Sequence, residues 1–328
     1  MHRNRFKVGT FNLCNLVLPD VLYYRKKIYT QTEYALKTTW IAEQLKKMKA
    51  DIVGFQEVFH QEALQQALAQ SQIYDNATTV FAKPTGKSPV VALTSRFPVL
   101  EYNVIKDFPT TACLDIQGTD IPLKRFSRPV LEAHLKLSDT IDCTVFVIHL
   151  KSKRPIIPDG VDRNDPIEQA KGQARSLILR AAEATALRVI LMDKLQHRDH
   201  PVIVMGDVND SGVAITSQIV SGEPPLRKLW FQQKQMIWDV LLYYVKDIQA
   251  RQNYGDFYYT HIHNGHHESL DHILVSQEFV VQNPKRIGRV GYVSLFNDHL
   301  IDETLSDEKI ETWQSDHGQV VVSIELDS

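Results

Sequence analysis

The chain has no excess of charge of either sign. Its 37 Lys and Arg stand against 39 Asp and Glu, so the formal net charge over 328 residues is −2. That excludes a binder working through a global basic field, such as a histone-like protein or a basic arm. Cysteine is scarce. Cys14, Cys113 and Cys143 are an odd number without metal-ligand spacing, so the chain encodes no zinc knuckle and no disulfide framework. Cys113 and Cys143 sit in strand-like text, and the cysteines read as buried small hydrophobes. No apolar run approaches the roughly 18 to 20 residues of a membrane span, so no transmembrane segment is expected. The start, Met-His-Arg-Asn-Arg-Phe-Lys, is basic but is followed by no apolar stretch of signal-peptide length. A cytoplasmic location is the default, with non-classical export or a removed signal left open. Repeats and low-complexity linkers are missing too, so residues 1–328 are read as one domain, expected to be a monomer.

What is there is globular. With 43% hydrophobic and 23% charged residues, the chain is no disordered tail, and at this length it can bury roughly three quarters of its unfolded surface. Thr30 and Glu33 form a capping-box pattern, and Tyr34, Trp40, Ile41, Leu45 and Met48 then recur at helical spacing up to Lys49. A second helix is expected over Gln61 to Gln70. The longest starts at Asp165-Pro166, with apolar residues at Ala170, Ala174, Leu177, Ala181, Leu187, Leu191 and Leu195. Between these lie strand-length runs: Phe6 to Phe11, Asp51 to Phe55, Val90 to Thr94, Val130 to Leu137, Cys143 to Ile148, Val202 to Met205, Ile273 to Val275 and Gln319 to Glu325. Strands and helices mix along the whole chain, so the class is α/β or α+β.

The polar residues gather at the ends of those strands. Phe6 to Phe11 runs into Asn12, and Asp51 to Phe55 into Gln56-Glu57. Cys143 to Ile148 runs into His149-Leu150-Lys151, and Val202 to Met205 into Gly206-Asp207-Val208-Asn209. Asp271-His272 and Ser315-Asp316-His317-Gly318 each lead into a strand. Loops at sheet edges are where rigid scaffolds place function. Six such edges in one chain suggest convergence on one site. Glu57, Asp207, Asp316, Asn12 and Asn209 are hard oxygen donors, which suit magnesium, manganese or calcium and not zinc. His149 and His317 add imidazoles that can donate to a phosphoryl oxygen or shuttle a proton. A hard cation, imidazoles and an activated water are the equipment for hydrolysis at phosphorus.

Taken in order, G-T-F-N at 9–12, D-I-V-G-F-Q-E-V at 51–58, I-H-L-K-S at 148–152, V-M-G-D-V-N at 204–209, L-D-H-I-L-V-S at 270–276 and S-D-H-G at 315–318 span nearly the whole chain. Together they resemble the endonuclease/exonuclease/phosphatase superfamily, which includes deoxyribonuclease I, exonuclease III, abasic-site endonucleases, inositol-polyphosphate phosphatases and neutral sphingomyelinases. The resemblance implies a four-layer sandwich: two packed β-sheets flanked by helices. It also implies a Mg2+-dependent enzyme (or one using Mn2+ or Ca2+). By it, Glu57 is the principal metal ligand with Asn12 and Asp316 nearby. Asp207 orients or deprotonates the attacking water, and Asn209 is a phosphate-side donor. His317 contacts the scissile phosphate or acts as acid/base, with Asp271 as its carboxylate partner. His149 matches the second histidine of the deoxyribonuclease I branch, and Arg128, in S-R-P-V-L-E-A, resembles a phosphate-binding arginine. The resemblance leaves open whether Asp207 or a histidine is the general base.

The expected function is a phosphodiesterase acting on nucleic acid, most simply a nuclease for DNA or RNA. A phosphoinositide, a sphingomyelin-type lipid or a small phosphate ester is the alternative substrate, and a binding module that has lost catalysis is a third reading. Lys151, assigned to substrate phosphate, opens a loop with Lys153 and Arg154 that reads equally as phosphate steering and as solvated charge. Tyr23, Tyr24, Arg25, Lys26, Lys27 and Tyr29 fit either a nucleic-acid contact or an amphipathic segment. Asp207 to Gly212 imitates the start of an EF-hand, but Gln218 stands where a bidentate Glu is needed. Asp298-His299 reads as a loop pair that lines the site or is merely structural. His261, His263, His266 and His267 read as a polar hairpin around Asn264-Gly265 more readily than as a zinc site.

Overall fold

Period-two alternation of apolar side chains assigns the strands to two faces, and a computed structural model shows what each face meets. The structure describes residues 5–24, 27–223, 228–250, 258–263, 265–303 and 307–327. Arg25 and Lys26 of the basic aromatic stretch, and Asn264 of the histidine turn, lie outside the described residues. In chain order the strands are β1 (Arg5–Leu16), β2 (Ile52–Val58), β3 (Thr78–Phe81), β4 (Val90–Ser95), β5 (Val99–Asp107), the short pair β6 (Asp115–Ile116) and β7 (Thr119–Asp120), β8 (Arg125–Lys136) and β9 (Asp142–His149). Then come β10 (Val202–Asp207), β11 (Tyr243–Tyr244), the hairpin β12 (His261–His263) and β13 (His266–Glu268), β14 (Asp271–Val275), β15 (Gly288–Phe296) and β16 (Gln319–Leu326). The helices are α1 (Gln31–Met48), α2 (Gln61–Ser71), α3 (Pro166–Leu195), α4 (Ile215–Ser221), α5 (Phe231–Trp238) and α6 (Val245–Ala250).

Among the described residues, two six-stranded mixed sheets form, ordered β15-β16-β1-β2-β4-β3 and β11-β14-β10-β9-β8-β5. The alternation separates their environments. Val145, Val147, Ile203, Met205, Ile273 and Val275 of the second sheet join a core with Phe11, Phe55 and Val321 of the first. Their neighbours Phe146, Ile148, Val202, Val204 and Leu274 face the other way, onto Ala184, Leu187, Leu191 and Leu195 of α3. Helices α1 and α2 pack against the first sheet through Ile41, Leu45, Ala63 and Leu64. The result is the expected four-layer sandwich. Gly54 permits close sheet contact: a Cβ there would lie 2.6 Å from the Met205 sulfur.

The expected strands all form. Strands β5 and β15 were not expected, because each is a sheet edge: most of β5 is exposed, and the pairing of β15 with β16 breaks register between Val290 and Val293. Two expectations are corrected. Ala170, Ala174 and Leu177 of α3 are exposed, and Gly172, Ser176 and Arg180 are buried instead. That half of the helix supports loop carbonyls, not apolar core: Ser176 donates to the Ser152 and Arg154 carbonyls. Cys143 is buried, but Cys14 is half-buried and Cys113 exposed, since Cys113 follows the single turn Thr110–Ala112 and belongs to no strand. Among the described residues no helix is long and apolar enough to cross a membrane.

Candidate active site

Strand register assembles the first part of the site. Asp207 at the end of β10 pairs with His149 at the end of the parallel β9 and with Asp271 at the start of the antiparallel β14. Three titratable residues thus stand side by side on neighbouring strands about 4.8 Å apart. The preceding Gly206 is required: it has φ 141°, and a Cβ there would lie 2.0 Å from the Ile148 carbonyl oxygen. A side chain at 206 would push β10 off β9 and separate Asp207 from His149.

Asp207 is held from several directions. Asn12 Nδ2, from the first sheet, donates to Oδ2 at 3.1 Å, and the Asn209 backbone N–H donates to Oδ1 at 2.8 Å. His149 Nε2 lies 3.3 Å from Oδ2. Burial pushes the Asp207 carboxyl up to about 7, opposed by His317 and aided by Asp271. Burial, with Arg128 and His317 nearby, holds His149 well below its ordinary value and so favours the neutral imidazole. Its buried Nδ1 finds no hydrogen-bond partner among the described residues. Asn12 Oδ1 accepts from the Cys14 N–H, and Asn209 Nδ2 donates to the Leu150 carbonyl.

The second part is a hydrogen-bonded pair. His317 Nδ1 donates to Asp271 Oδ2 at 2.7 Å. Burial opposes the imidazolium, but Asp271, Asp207 and Asp316 outweigh it and raise His317 well above its ordinary value. Nε2 remains for a substrate. The pair is braced: Ser315 Oγ accepts from the His317 N–H and donates to the Asn12 carbonyl, and Thr260 Oγ1 accepts from the Asp271 N–H. His299 Nε2 meets the His317 carbonyl at 3.1 Å, so His299 backs the pair. His261 bonds the Asp316 carbonyl at 2.8 Å, and its ring lies 4.9 Å from that of His317.

Glu57 and Asp316 form the third part. Cys14, Asn15 and Glu57 all have positive φ (46°, 63° and 63°), where β1 and β2 lose register. Such backbone costs on the order of 1–3 kcal/mol per residue and clusters at functional sites. Burial raises Glu57, countered first by Arg128. Asp316 is lowered: burial is outweighed by His317 and His261, with the Cys14 thiol donating to it. One donor atom each from Asp207, Asp271 and His317 lies within 4.8 Å of the others, and the same holds for His261, Asp316 and His317. Glu57 belongs to neither triple. The second oxygen of Asp271 is buried with no hydrogen-bond partner among the described residues. Buried carboxylates, an orphaned oxygen and imidazoles fit a divalent cation.

The sequence profile of the Endonuclease/Exonuclease/phosphatase family matches residues 9–317. The chain belongs to this family. No curated protein matches the sequence significantly. Among solved structures, D. rerio TDP2 humanised by 14 mutations superimposes with a TM-score of 0.57 at 16% identity, covering 98% of this chain and 99% of that one. The human nocturnin catalytic domain gives 0.56 at 15% identity, covering 99% and 96%. A mannosyl-6-phosphatase of Bacteroides thetaiotaomicron gives 0.54 at 15%, covering 97% and 99%. At such identities the likeness is one of fold.

In this endonuclease/exonuclease/phosphatase family protein, Arg128 and Lys151 have separate placements. Arg128 Nη1 donates to the Leu150 carbonyl, and its field reaches Glu57, Asp207 and His149. Lys151 curls onto its own loop, its ammonium donating to Ser152 and the Arg154 carbonyl. Burial lowers it to about 8. Lys153 pairs with Glu268 at 2.8 Å. The family motifs do not announce Glu183, although it accepts from the Ser127 and Lys151 N–H groups at 2.6 Å each and so fixes the segments carrying Arg128 and His149. Arg180 joins Asp210 and the Lys151 carbonyl. Their signal was available: two charges on the buried side of α3.

Proposed function

We propose that the protein is a divalent-metal-dependent phosphodiesterase, most simply a nuclease that cleaves DNA or RNA by in-line attack of water. The observation that carries this reading is the meeting of two buried acid–imidazole pairs, His149–Asp207 and His317–Asp271, at adjoining strand ends. Glu57 and Asp316 would hold magnesium or manganese (calcium, larger and equally served by oxygen donors, is the alternative), with Asp271 and His317 near. The cation would supply positive charge to a phosphoryl oxygen. Asp207, oriented by Asn12 and the Asn209 N–H, takes the proton of the attacking water. His317, its Nδ1 fixed by Asp271, donates from Nε2 to the charge that develops on phosphate. His149 keeps Asp207 aligned, and Arg128 adds a fixed positive field.

A second reading, hydrolysis of a small phosphate ester or a phospholipid, draws support from a cavity of about 470 Å³ beside Asp316, lined by Cys14, Asn15, Tyr23, Tyr29 and Glu311 among others. The experiment is a substrate panel of plasmid DNA, single-stranded DNA, RNA, sphingomyelin, a phosphoinositide and a sugar phosphate, with Mg2+, Mn2+, Ca2+ or EDTA. Metal-dependent cleavage of nucleic acid, abolished by EDTA, is expected. Turnover confined to lipid or sugar phosphate moves the site to the second reading, and no metal-dependent turnover at all leaves only a binding module.

A further inference from the structure

Lys37 of α1 is fully buried, with 0% of its surface exposed. An ammonium so placed needs a structural reason. Its Nζ donates to the Cys14 carbonyl at 3.0 Å and lies 5.5 Å from the centre of the Tyr29 ring. Burial works against its charge, and the fields of Glu57 and Asp316 are among those that support it.

The Cys14 carbonyl and the Asn15 N–H are the two ends of one peptide group. Lys37 holds the carbonyl end. The N–H end belongs to the bulge that stands beside Glu57: β1 and β2 pair at Asn12–Gln56 and Leu16–Val58 and lose register between, and this N–H is among the groups that hold the Glu57 carboxyl down against burial. Cation, peptide dipole and carboxylate therefore stand in series, an order in which each hydrogen bond polarises and strengthens the next. The same turn adjoins the other acid, because Cys14, Asn15 and Asp316 line one cavity. Both residues of the turn have positive φ, so the peptide needs an anchor to keep its orientation.

We propose that Lys37 is a positioning residue of the metal site: through the Cys14–Asn15 peptide it orients Glu57 and provides the buried positive charge that balances Glu57 and Asp316. The inference rests on the metal reading of the site given above.

The test is Mn2+ binding to the whole chain, followed by electron paramagnetic resonance without substrate. Lys37→Met is expected to weaken Mn2+ binding at least tenfold, and Lys37→Arg, which keeps charge and donor, to stay within threefold of the unaltered protein. Unchanged binding in folded Lys37→Met overturns the proposal, as does an equal loss in both variants, which marks a role in packing alone. If Lys37→Met does not fold, the double variant Lys37→Met/Glu57→Gln decides. Recovery of a cooperative melting transition supports the coupling, and no recovery refutes it. Failure of the unaltered protein to bind Mn2+ refutes the metal reading itself, a result distinct from these.

Discussion

Asn12 and Asp207 are 195 residues apart and belong to different sheets, yet their side chains meet at 3.1 Å. The carboxylate to which catalysis is assigned is thereby oriented by an amide of the other sheet, and the candidate site spans the seam between them.

Replacing Asp207 by Ala removes the group assigned to the attacking water. Phosphodiester hydrolysis is expected to fall on the order of 10²-fold or more, with Asn12→Ala giving a smaller loss because it only frees the carboxylate to rotate. Rates on the preferred substrate decide it. Near-unaltered turnover in Asp207→Ala sinks the assignment.

Asp271→Asn tests the second pair. The amide cannot sustain the charged His317, so both the rate and the upper pH limit of activity are expected to drop, the rate on the order of 10². A pH–rate profile that keeps its alkaline limb in this variant contradicts the role given to Asp271.

The raised carboxyl of Asp207 has a consequence for stability. Without metal, the folded protein holds this proton up to about pH 7, whereas the group ordinarily releases it near 3.8. The folded state binds more protons across that window, so Asp207 withdraws stability as pH rises through it. His317 acts in the same sense: its contribution is present below its ordinary value of 6.5 and is lost as pH rises through its higher folded value. Metal-free Asp207→Asn is therefore expected to gain stability relative to the unaltered chain between pH 4 and pH 8. Denaturant midpoints at several pH values, compared with and without Mn2+, provide the check. A difference independent of pH rejects it.

Glu183 gives a prediction about structure. Glu183→Ala leaves the Ser127 and Lys151 N–H groups without their acceptor, at about 1–3 kcal/mol for each buried group. Urea unfolding measures the cost, and a loss under about 0.5 kcal/mol, the scale of an ordinary surface change, shows that the brace is dispensable.

The strand-end polar residues carried most of the site because a strand ending in Asp, His or Asn projects that residue from a rigid edge, and register alone then aligns His149, Asp207 and Asp271. The supporting residues were harder to read. Lys37 and Glu183 sit on helices at positions where apolar spacing also falls, so a local pattern treats them as interruptions and not as partners for distant backbone. Glu57 was legible from its motif, but the positive φ that it shares with Cys14 and Asn15 was not, because side-chain pattern rarely encodes that conformation outside glycine and asparagine. Edge strands β5 and β15 were missed for a related reason: with one partner each, they bury too little to enforce alternation. The cluster His261 to His267 was legible as a hairpin, but the approach of His261 to His317 depends on the Asp316 carbonyl, a long-range contact.

Strand β1 lies between β16 and β2, and Ser315 just before β16 donates to the Asn12 carbonyl across 303 residues. During synthesis β1 therefore waits for β16 before this sheet is complete. A ribosome-bound chain stopped before Ser315 carries Glu57, His149 and Asp207 but lacks both the serine that ties His317 to Asn12 and His317 itself. On the proposed function, a chain stopped there would lack the His317 donor and be inactive toward phosphodiesters.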